Sequence, residues 1–260
     1  MAKLAQALAD KKFVVTVEMD PPRGVSTASL EALAGGLAGR VDAVVLSDNR
    51  GACPRQAPCW LAHCLCARAG LEVVMTLTCR DRNRLALTSE MLAAAAAGVE
   101  NLLLVSGDFV SLGDHPGAKP VYDLDSVQAL QLAAALMAGH DLGGQALADA
   151  PSFFLGSSLA AHANPLGPQI IKYRKKVQAG AGFFITQPLS SMETLRAFLA
   201  QAGEPGAPLL AGVEVGTSDE LEAKADLARQ IKAAGLAAGL HLSLPARPQE
   251  MPAFLSACGF

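Results

Sequence analysis

Two carboxylates directly follow the first strongly apolar segment of the chain. In "VVTVEMDPPRG", residues 14–24, β-branched residues precede Glu18 and Asp20, and Pro21-Pro22 ends the segment. Burial disfavours the charged form of a carboxyl group, so its pKa rises toward values at which it can donate a proton near neutral pH. Glu18 is therefore a candidate general acid. The alternative is a structural ion pair with an arginine such as Arg23 or Arg80.

Polar residues also stand at the ends of the later apolar segments, whereas the opposite ends carry mainly Ala, Gly and Leu. This one-sided polarity is typical of a binding or catalytic site rather than of a symmetric scaffold. The residues concerned are Ser47, Asp48 and Asn49; Thr76, Thr78 and Cys79; Gly107 and Asp108; Ser157 and Ser158, with His162 and Asn164 beyond; Thr186 and Gln187; Glu214; and His241 and Ser243.

These segments are β-rich, and they alternate with helical segments rich in Ala and Leu along the whole chain. Several helical segments open with Ser, Thr, Asp or Asn as N-cap candidates, and most end in Ala-Gly, which supplies a left-handed C-cap. Such alternation predicts a parallel sheet. The predicted strands are 13–19, 42–47, 72–78, 101–106, 152–158, 182–187, 208–215 and 239–244.

Eight strand-helix units in 260 residues favour one closed (β/α)8 TIM barrel over an open doubly wound sheet, which typically has about five to seven strands. No linker-like segment divides the chain, so residues 1–260 are predicted to form a single domain. The strand ends of a barrel converge on one face, where active sites of this fold lie. Glu18, Asp108 and Gln187 are thus expected to share one opening.

Composition narrows the class of partner. The formal net charge is -3 and the sequence pI is near 6.0, without a basic stripe, which argues against a nucleic-acid partner and favours a small molecule. No apolar run approaches the roughly 18 residues that a membrane span requires, and the first residues lack the features of a signal peptide. We therefore expect a soluble, cytoplasmic protein without a membrane partner.

Four of the six cysteines crowd one short segment, at Cys53, Cys59, Cys64 and Cys66. Their spacing, C-x5-C-x4-C-x-C, lacks the C-x2-C pair of common zinc sites. The favoured interpretation is a set of small apolar residues on and before a helix. His63 keeps a metal site or a partner contact open as the alternative. The histidines form no H-x-H or H-E-x-x-H motif, so no catalytic metal is expected.

Six motifs in order resemble the methylenetetrahydrofolate reductase family: "VEMDPPRG", "MTLTCRDRN", "NLLLVSGD", "KPVYDLDS", "HANP" and "KKVQAGAGFFITQP". The resemblance covers about residues 13–190. It is greatest to the variant that is fused to homocysteine methyltransferase domains or found in anaerobic methyl-branch pathways. The family has a (β/α)8 barrel that holds FAD at the carboxyl end of the strands, which agrees with the fold predicted above.

The resemblance implies roles for individual residues. Glu18 would be the general acid that opens the five-membered ring of methylenetetrahydrofolate. Asp108 would lie between flavin and pterin, where it hydrogen-bonds the folate and tunes the flavin, and Gln187 would contact folate or nicotinamide. The residues that match flavin-binding positions are Ser47, Thr76, Gly107, Asp108, Tyr122, His162, Lys175 and Lys176.

The implied reaction is the reduction of 5,10-methylenetetrahydrofolate to 5-methyltetrahydrofolate, a step of one-carbon metabolism and methionine biosynthesis. NADH or NADPH would reduce FAD, and the reduced flavin would pass a hydride to the folate. The protein would supply position, a proton and an electrostatic field, while the flavin performs the redox chemistry. The sequence contains no feature that selects NADH over NADPH.

The chain departs from the family pattern at the expected nicotinamide site. Thr76 replaces a histidine, Pro188-Leu189 replaces an aromatic pair, and the part after the sixth strand is short. These differences leave two alternatives open. The flavin could be reduced by a partner subunit that docks near the cysteine-rich helix, or the chain could be a non-catalytic folate- or flavin-binding subunit. Alanine-rich helices also make a homo-oligomer plausible.

Overall fold

Eight parallel strands close into a barrel in which each strand pairs with its sequence neighbours, and the eighth pairs with the first. The computed structural model describes residues 2–203 and 206–260. The predicted closed barrel is confirmed, and each predicted strand is present with bounds shifted by at most two residues. The strands are β1 Val14–Met19, β2 Ala43–Leu46, β3 Val73–Thr78, β4 Asn101–Val105, β5 Phe154–Leu159, β6 Phe183–Thr186, β7 Leu209–Glu214 and β8 Gly239–Ser243.

Helices connect the strands and form the outer layer. One of them, α1, was not predicted from the sequence; its Leu4 and Leu8 are buried against the barrel interior, beside Val14 and Phe183. The helices of the described residues are α1 Lys3–Ala9, α2 Ala28–Leu37, α3 Pro58–Cys64, α4 Arg84–Ala96, α5 Ser126–Met137, α6 Gly167–Gln178, α7 Met192–Ala202, α8 Leu221–Ala234 and α9 Met251–Ala257, with a π-helical turn Leu65–Ala69 after α3.

The predicted helix ends are found where local chemistry marks them. Asp125 forms a capping box with Gln128 at the start of α5, and the Asn83 side chain accepts from the backbone N–H of Ala86 at the start of α4. Glycines follow several helices with positive φ, for example Gly98 at 83° and Gly139 at 88°. These caps satisfy backbone groups that a helix end leaves without partners, so they fix where each helix stops.

The barrel strands are almost entirely apolar and buried, because helices cover the outside and side chains fill the inside. Buried polar residues instead gather at the carboxyl ends of the strands, as at Ser47, Thr78, Thr186 and Ser243. Among the described residues, no helix combines the length and apolarity needed to cross a bilayer. The one-sided polarity therefore points to the carboxyl end of the barrel as the functional face.

Candidate active site

A cavity of about 650 Å³ opens at the carboxyl end of the barrel. Its size is in the range of small-molecule sites, about 300–1,000 Å³. We call it the main cavity. Of the ten residues singled out from the sequence as site residues, eight lie in its wall: Glu18, Ser47, Thr76, Gly107, Asp108, His162, Lys176 and Gln187. Most of them come together because they stand near or just beyond the carboxyl end of a strand, and the closed barrel brings these strand ends together; Lys176 reaches the cavity from helix α6.

Glu18, at the end of β1, lies deep in this cavity with 19% of its side chain exposed. Its Oε2 is 3.0 Å from Nη1 of Arg50. Burial raises the pKa of Glu18 from 4.5 to about 7, and the neighbouring carboxylates of Asp20 and Glu214 act in the same direction, whereas Arg50 opposes the rise. A large share of Glu18 therefore carries a proton at neutral pH.

Arg50 bridges two carboxylates, because it also forms an ion pair with Glu214 at the end of β7. The Ser243 hydroxyl donates to the same Glu214 carboxylate at 3.1 Å. The sequence had offered Arg23 or Arg80 as structural partners of Glu18, and both suggestions are wrong. Arg50 follows β2, the strand that pairs with β1, so adjacency of the first two strands is the signal that would have found it.

His241 on β8 lies beside Glu18, with Nε2 4.0 Å from Glu18 Oε2. Burial and the Arg50 charge lower the pKa of His241 to about 3, so the imidazole is neutral. The Thr16 hydroxyl donates to the carbonyl oxygen of Leu240 at 3.2 Å and lies 3.1 Å from His241 Nδ1.

Asp108 follows β4, and its carboxylate accepts a hydrogen bond from the Gly51 backbone N–H at 2.9 Å. Its carbonyl oxygen accepts from Nη1 of Arg80 at 3.3 Å and from the Tyr122 hydroxyl at 3.2 Å. Arg80 is only 1% exposed and is fixed by two hydrogen bonds to Asp81. Tyr122 does not line the main cavity, but it holds the backbone of a residue that does.

Gly107 lets the chain turn into this loop. Its φ is +90°, and an added Cβ would lie 3.0 Å from Cβ of Arg80 and 3.2 Å from Cβ of Thr78. Such contacts are shorter than ordinary van der Waals packing, and the backbone conformation disfavours every residue except glycine. Gly107 therefore meets both a conformational and a packing requirement.

Replacing Gly107 with alanine is expected to lower the free energy of unfolding by about 1–2 kcal/mol, the usual penalty for a side chain in left-handed backbone. Urea denaturation measures the change as a lower midpoint at constant slope. Gly117→Ala is the matched control, because an added Cβ there meets nothing within 4 Å. Equal midpoints for the two variants would show that the loop tolerates a side chain at Gly107.

The opposite side of the main cavity is basic. Lys176 on α6 is 5% exposed and donates from Nζ to the Ser158 carbonyl oxygen at 2.6 Å. Burial, with a smaller contribution from the Lys172 charge, lowers the pKa of Lys176 from 10.5 to about 7. Lys172 lies one turn earlier on the same helix and also lines the cavity. An anionic ligand group would supply the negative charge that this pair lacks.

Lys175 does not accompany Lys176 in the cavity wall, although the family resemblance assigns both lysines to the flavin. It is exposed on α6. Adjacent residues of a helix point in different directions, whereas residues four apart share a face. The i, i+4 spacing of Lys172 and Lys176 is the sequence signal that identifies the pair on the cavity side.

Apolar side chains complete the main cavity. Leu103, Val105 and Ile185 form part of its lining, while His162 and Gln187 stand exposed at its rim. The site therefore combines an acid that titrates near neutral pH, a basic side and an apolar surface. This combination suits a ligand with a flat ring system and an anionic extension.

The cysteine-rich segment carries no comparable site. Cys64 is buried. Cys59 and Cys66 are half-buried, and burial raises the pKa of these two thiols. No group of three or more His, Cys, Asp or Glu residues within 2–203 and 206–260 is placed to hold a metal ion. Cys59 and Cys66 pack against the hydrophobic core.

The fold and the site define a (β/α)8-barrel protein with a small-molecule cavity at the carboxyl end of its strands. The family model described as methylenetetrahydrofolate reductase matches residues 3–231. The chain belongs to the methylenetetrahydrofolate reductase family, which confirms the resemblance found in the sequence motifs. Comparison with proteins of curated function gives no match.

Several solved structures share the fold. An uncharacterized protein from Clostridium thermocellum that binds two copies of 5-methyl-5,6,7,8-tetrahydrofolic acid has a TM-score of 0.67 and 13% identity, over 99% of this chain and 98% of that chain. A 2,3-dimethylmalate lyase has a TM-score of 0.60 and 13% identity, over 97% and 80%. Tryptophan synthase from M. tuberculosis has a TM-score of 0.57 and 17% identity, over 99% and 95%. At these identities the likeness shows the barrel fold alone.

Proposed function

We propose that this chain reduces 5,10-methylenetetrahydrofolate to 5-methyltetrahydrofolate with FAD as its redox cofactor. The observation that carries the proposal is Glu18, an acid with a pKa near 7 in a cavity shared with Asp108 and Gln187. Family membership supports the same reaction. The structural neighbour from Clostridium thermocellum binds 5-methyltetrahydrofolate, which is the product of this proposed reaction.

The donor set of the main cavity fits FAD. Lys172 and Lys176 would hold the phosphates, since a lysine with a depressed pKa gains most from a nearby anion. Leu103 and Ile185 offer apolar contact to the flavin ring. When bound, FAD would supply the hydride acceptor and donor of the reaction.

Glu18 would hold the proton that opens the substrate ring. In methylenetetrahydrofolate one carbon bridges N5 and N10. Proton transfer from the Glu18 carboxyl to N10 accompanies cleavage of the bond between N10 and that carbon, and leaves a reactive iminium at N5. Arg50, 3.0 Å away, would stabilise the resulting carboxylate. The neutral His241 adds no competing positive charge at this point.

Asp108 and Gln187 would orient the pterin ring. Asp108 is exposed toward the cavity, and its carbonyl oxygen and one carboxylate oxygen are already held by Arg80, Tyr122 and the Gly51 backbone. Its position is therefore preorganised before a ligand arrives, which lowers the entropic cost of orienting the substrate. The Gln187 carboxamide at the rim offers both a donor and an acceptor to a pterin edge.

The purified chain loaded with FAD tests this proposal. Anaerobic addition of NADH or NADPH is expected to bleach the flavin absorbance, and methylenetetrahydrofolate is then expected to restore it with formation of methyltetrahydrofolate. If neither NADH nor NADPH bleaches the flavin, but methylenetetrahydrofolate reoxidises flavin that dithionite has reduced, the result would favour reduction by a partner subunit. Failure of methylenetetrahydrofolate to reoxidise the reduced flavin would contradict the proposed reaction.

A further inference from the structure

One arginine faces two acidic side chains in the wall of the main cavity. Arg50 Nη1 lies 3.0 Å from Oε2 of Glu18, and Arg50 Nη2 forms an ion pair with Oε2 of Glu214. Arginine keeps its charge in proteins, so one positive charge stands against two carboxyl groups. All three side chains are half-buried, and burial disfavours uncompensated charge. The three groups are therefore closest to neutral when one of the two acids holds a proton.

The contacts of the two acids indicate which one holds it. The Ser243 hydroxyl donates to the same Glu214 oxygen that pairs with Arg50, and hydrogen bonds to a carboxylate favour its charged form. Glu18 is the more buried acid, with 19% of its side chain exposed against 29% for Glu214. It also lies beside the neutral ring of His241. Arg50 and Ser243 thus hold Glu214 as a carboxylate, and the proton remains on Glu18.

We propose that Glu214 is a positioning residue for the general acid: it holds the Arg50 guanidinium, so that Glu18 has no counter-ion to itself and keeps its proton until the substrate arrives. This inference rests on the proposed function, because it takes Glu18 to be the proton donor. Glu214 acts through Arg50 and needs no contact with the substrate. Once Glu18 has given up its proton, Arg50 already stands 3.0 Å away and pairs with both carboxylates.

The loop that carries Arg50 is held on both sides of it. Asn49 and Ala52 take positive φ, 48° and 57°, a conformation that residues other than glycine seldom adopt. The Asn49 side chain donates to Asp81 at 3.1 Å and accepts from the Arg55 backbone N–H at 2.9 Å. Such unusual backbone persists only where the surrounding structure enforces it. The backbone thus presents Arg50 to the two acids in one place.

The third acidic neighbour of Glu18 has an arginine of its own. Oδ2 of Asp20 lies 3.3 Å from Nη2 of Arg55. Burial is the main cause of the raised pKa of Glu18, and the charges of Asp20 and Glu214 add to it. The Asp20 charge is balanced by Arg55, whereas Glu18 and Glu214 both contact Arg50. Competition for Arg50 therefore concerns Glu18 and Glu214.

The test removes the charge of Glu214 and keeps its shape. In Glu214→Gln, Arg50 is left to Glu18, and one opposite charge within about 4–6 Å lowers a carboxyl pKa by about 1–3. The Glu18 carboxyl carbon can be followed by NMR in the ligand-free chain labelled with ¹³C-glutamate, and it is assigned by its loss in Glu18→Gln. It is expected to titrate at about pH 7 in the wild type, and at about pH 6 or below in Glu214→Gln.

Glu193→Gln, at an exposed position of α7, is the matched control for this titration and is expected to leave the midpoint of Glu18 unchanged. An unchanged midpoint in Glu214→Gln would overturn the inference. A double-mutant cycle separates competition for Arg50 from direct repulsion between the two acids. In Arg50→Gln, adding Glu214→Gln is expected to lower the midpoint by less than it does with Arg50 present. Equal shifts would show that Glu214 acts only as a nearby charge, which would also overturn the inference.

The rate at which methylenetetrahydrofolate reoxidises the reduced flavin gives a second readout. For a midpoint that falls from about 7 to about 6, Glu214→Gln is expected to be about fivefold slower at pH 7 and about tenfold slower at pH 8, and to approach the wild-type rate near pH 5. An equal loss at every pH would indicate a structural role and overturn the inference. If Glu18 titrates as expected but the wild type does not reduce the folate, the proposed reaction fails while the hold of Glu214 on Arg50 stands.

Discussion

Replacing Glu18 with glutamine is expected to slow reduction of methylenetetrahydrofolate by about 10²–10⁴-fold, the usual contribution of a positioned general acid. Glutamine keeps the shape of the side chain but has no acidic proton to give to N10. The measurement is the rate at which methylenetetrahydrofolate reoxidises the reduced flavin, followed by stopped-flow absorbance. Reduction of the flavin by nicotinamide or dithionite is expected to be unchanged, since that half-reaction takes no proton from Glu18.

The pH dependence of the same half-reaction provides a sharper criterion. In the wild type the rate is expected to fall as pH rises through about 7, because Glu18 then loses its proton. In Glu18→Gln this limb is expected to disappear. Glu193→Gln, at an exposed position of α7, is the matched control. A wild-type profile that persists in Glu18→Gln would assign the titration to another group and remove Glu18 from the mechanism.

The substitution is not expected to unfold the protein. The pKa of Glu18 is higher in the folded chain than its ordinary value of 4.5. The folded chain therefore loses stability from this group as pH rises from about 4.5 through 7. Glutamine removes that loss, so thermal denaturation at pH 8 is expected to show a variant at least as stable as the wild type. Loss of activity can then be attributed to the missing proton.

Replacing Lys176 with methionine is expected to abolish the pH dependence of FAD affinity. In the wild type without ligand, Lys176 is largely neutral above pH 7, whereas phosphate favours its charged form. FAD binding above pH 7 then requires proton uptake, and affinity is expected to fall by up to about tenfold per pH unit. Fluorescence titration with FAD between pH 6 and 9 measures this slope. In Lys176→Met the affinity is expected to be lower at pH 6 and nearly constant with pH.

Stability gives an independent check on Lys176. Its pKa is lowered in the folded chain, so between about pH 7 and 10.5 the unfolded chain binds more protons at this group. The free energy of unfolding therefore gains about 1.4 kcal/mol per pH unit from Lys176 in that range. The difference in the free energy of unfolding between the wild type and Lys176→Met is therefore expected to rise with pH by this slope. Lys224→Met, on α8 and outside the main cavity, is the control. If the free energy of unfolding changed with pH by the same slope in both variants, a buried, uncharged Lys176 would be contradicted.

Much of the architecture follows from local patterns. Buried parallel strands appear as short, β-branched apolar runs, because both faces of the sheet are covered. Ala-Gly pairs mark helix ends, since glycine alone takes positive φ without strain, as Gly98 and Gly139 do. These signals are independent of distant contacts, so the eight strands and their order were predictable. Helix α1 was missed because its stability depends on Leu4 and Leu8 meeting the barrel interior.

Part of the candidate site was likewise predictable from the sequence, and part of it was not. The sequence by itself determined which residues stand at strand ends, and hence that Glu18, Asp108 and Gln187 line one cavity. Only the tertiary structure decided the pairing of Arg50 with Glu18 and Glu214, and the inward position of Lys172 rather than Lys175. The reason is physical. Strand period and turn chemistry act between near neighbours along the chain, whereas ion pairs and burial depend on which elements the closed barrel brings together.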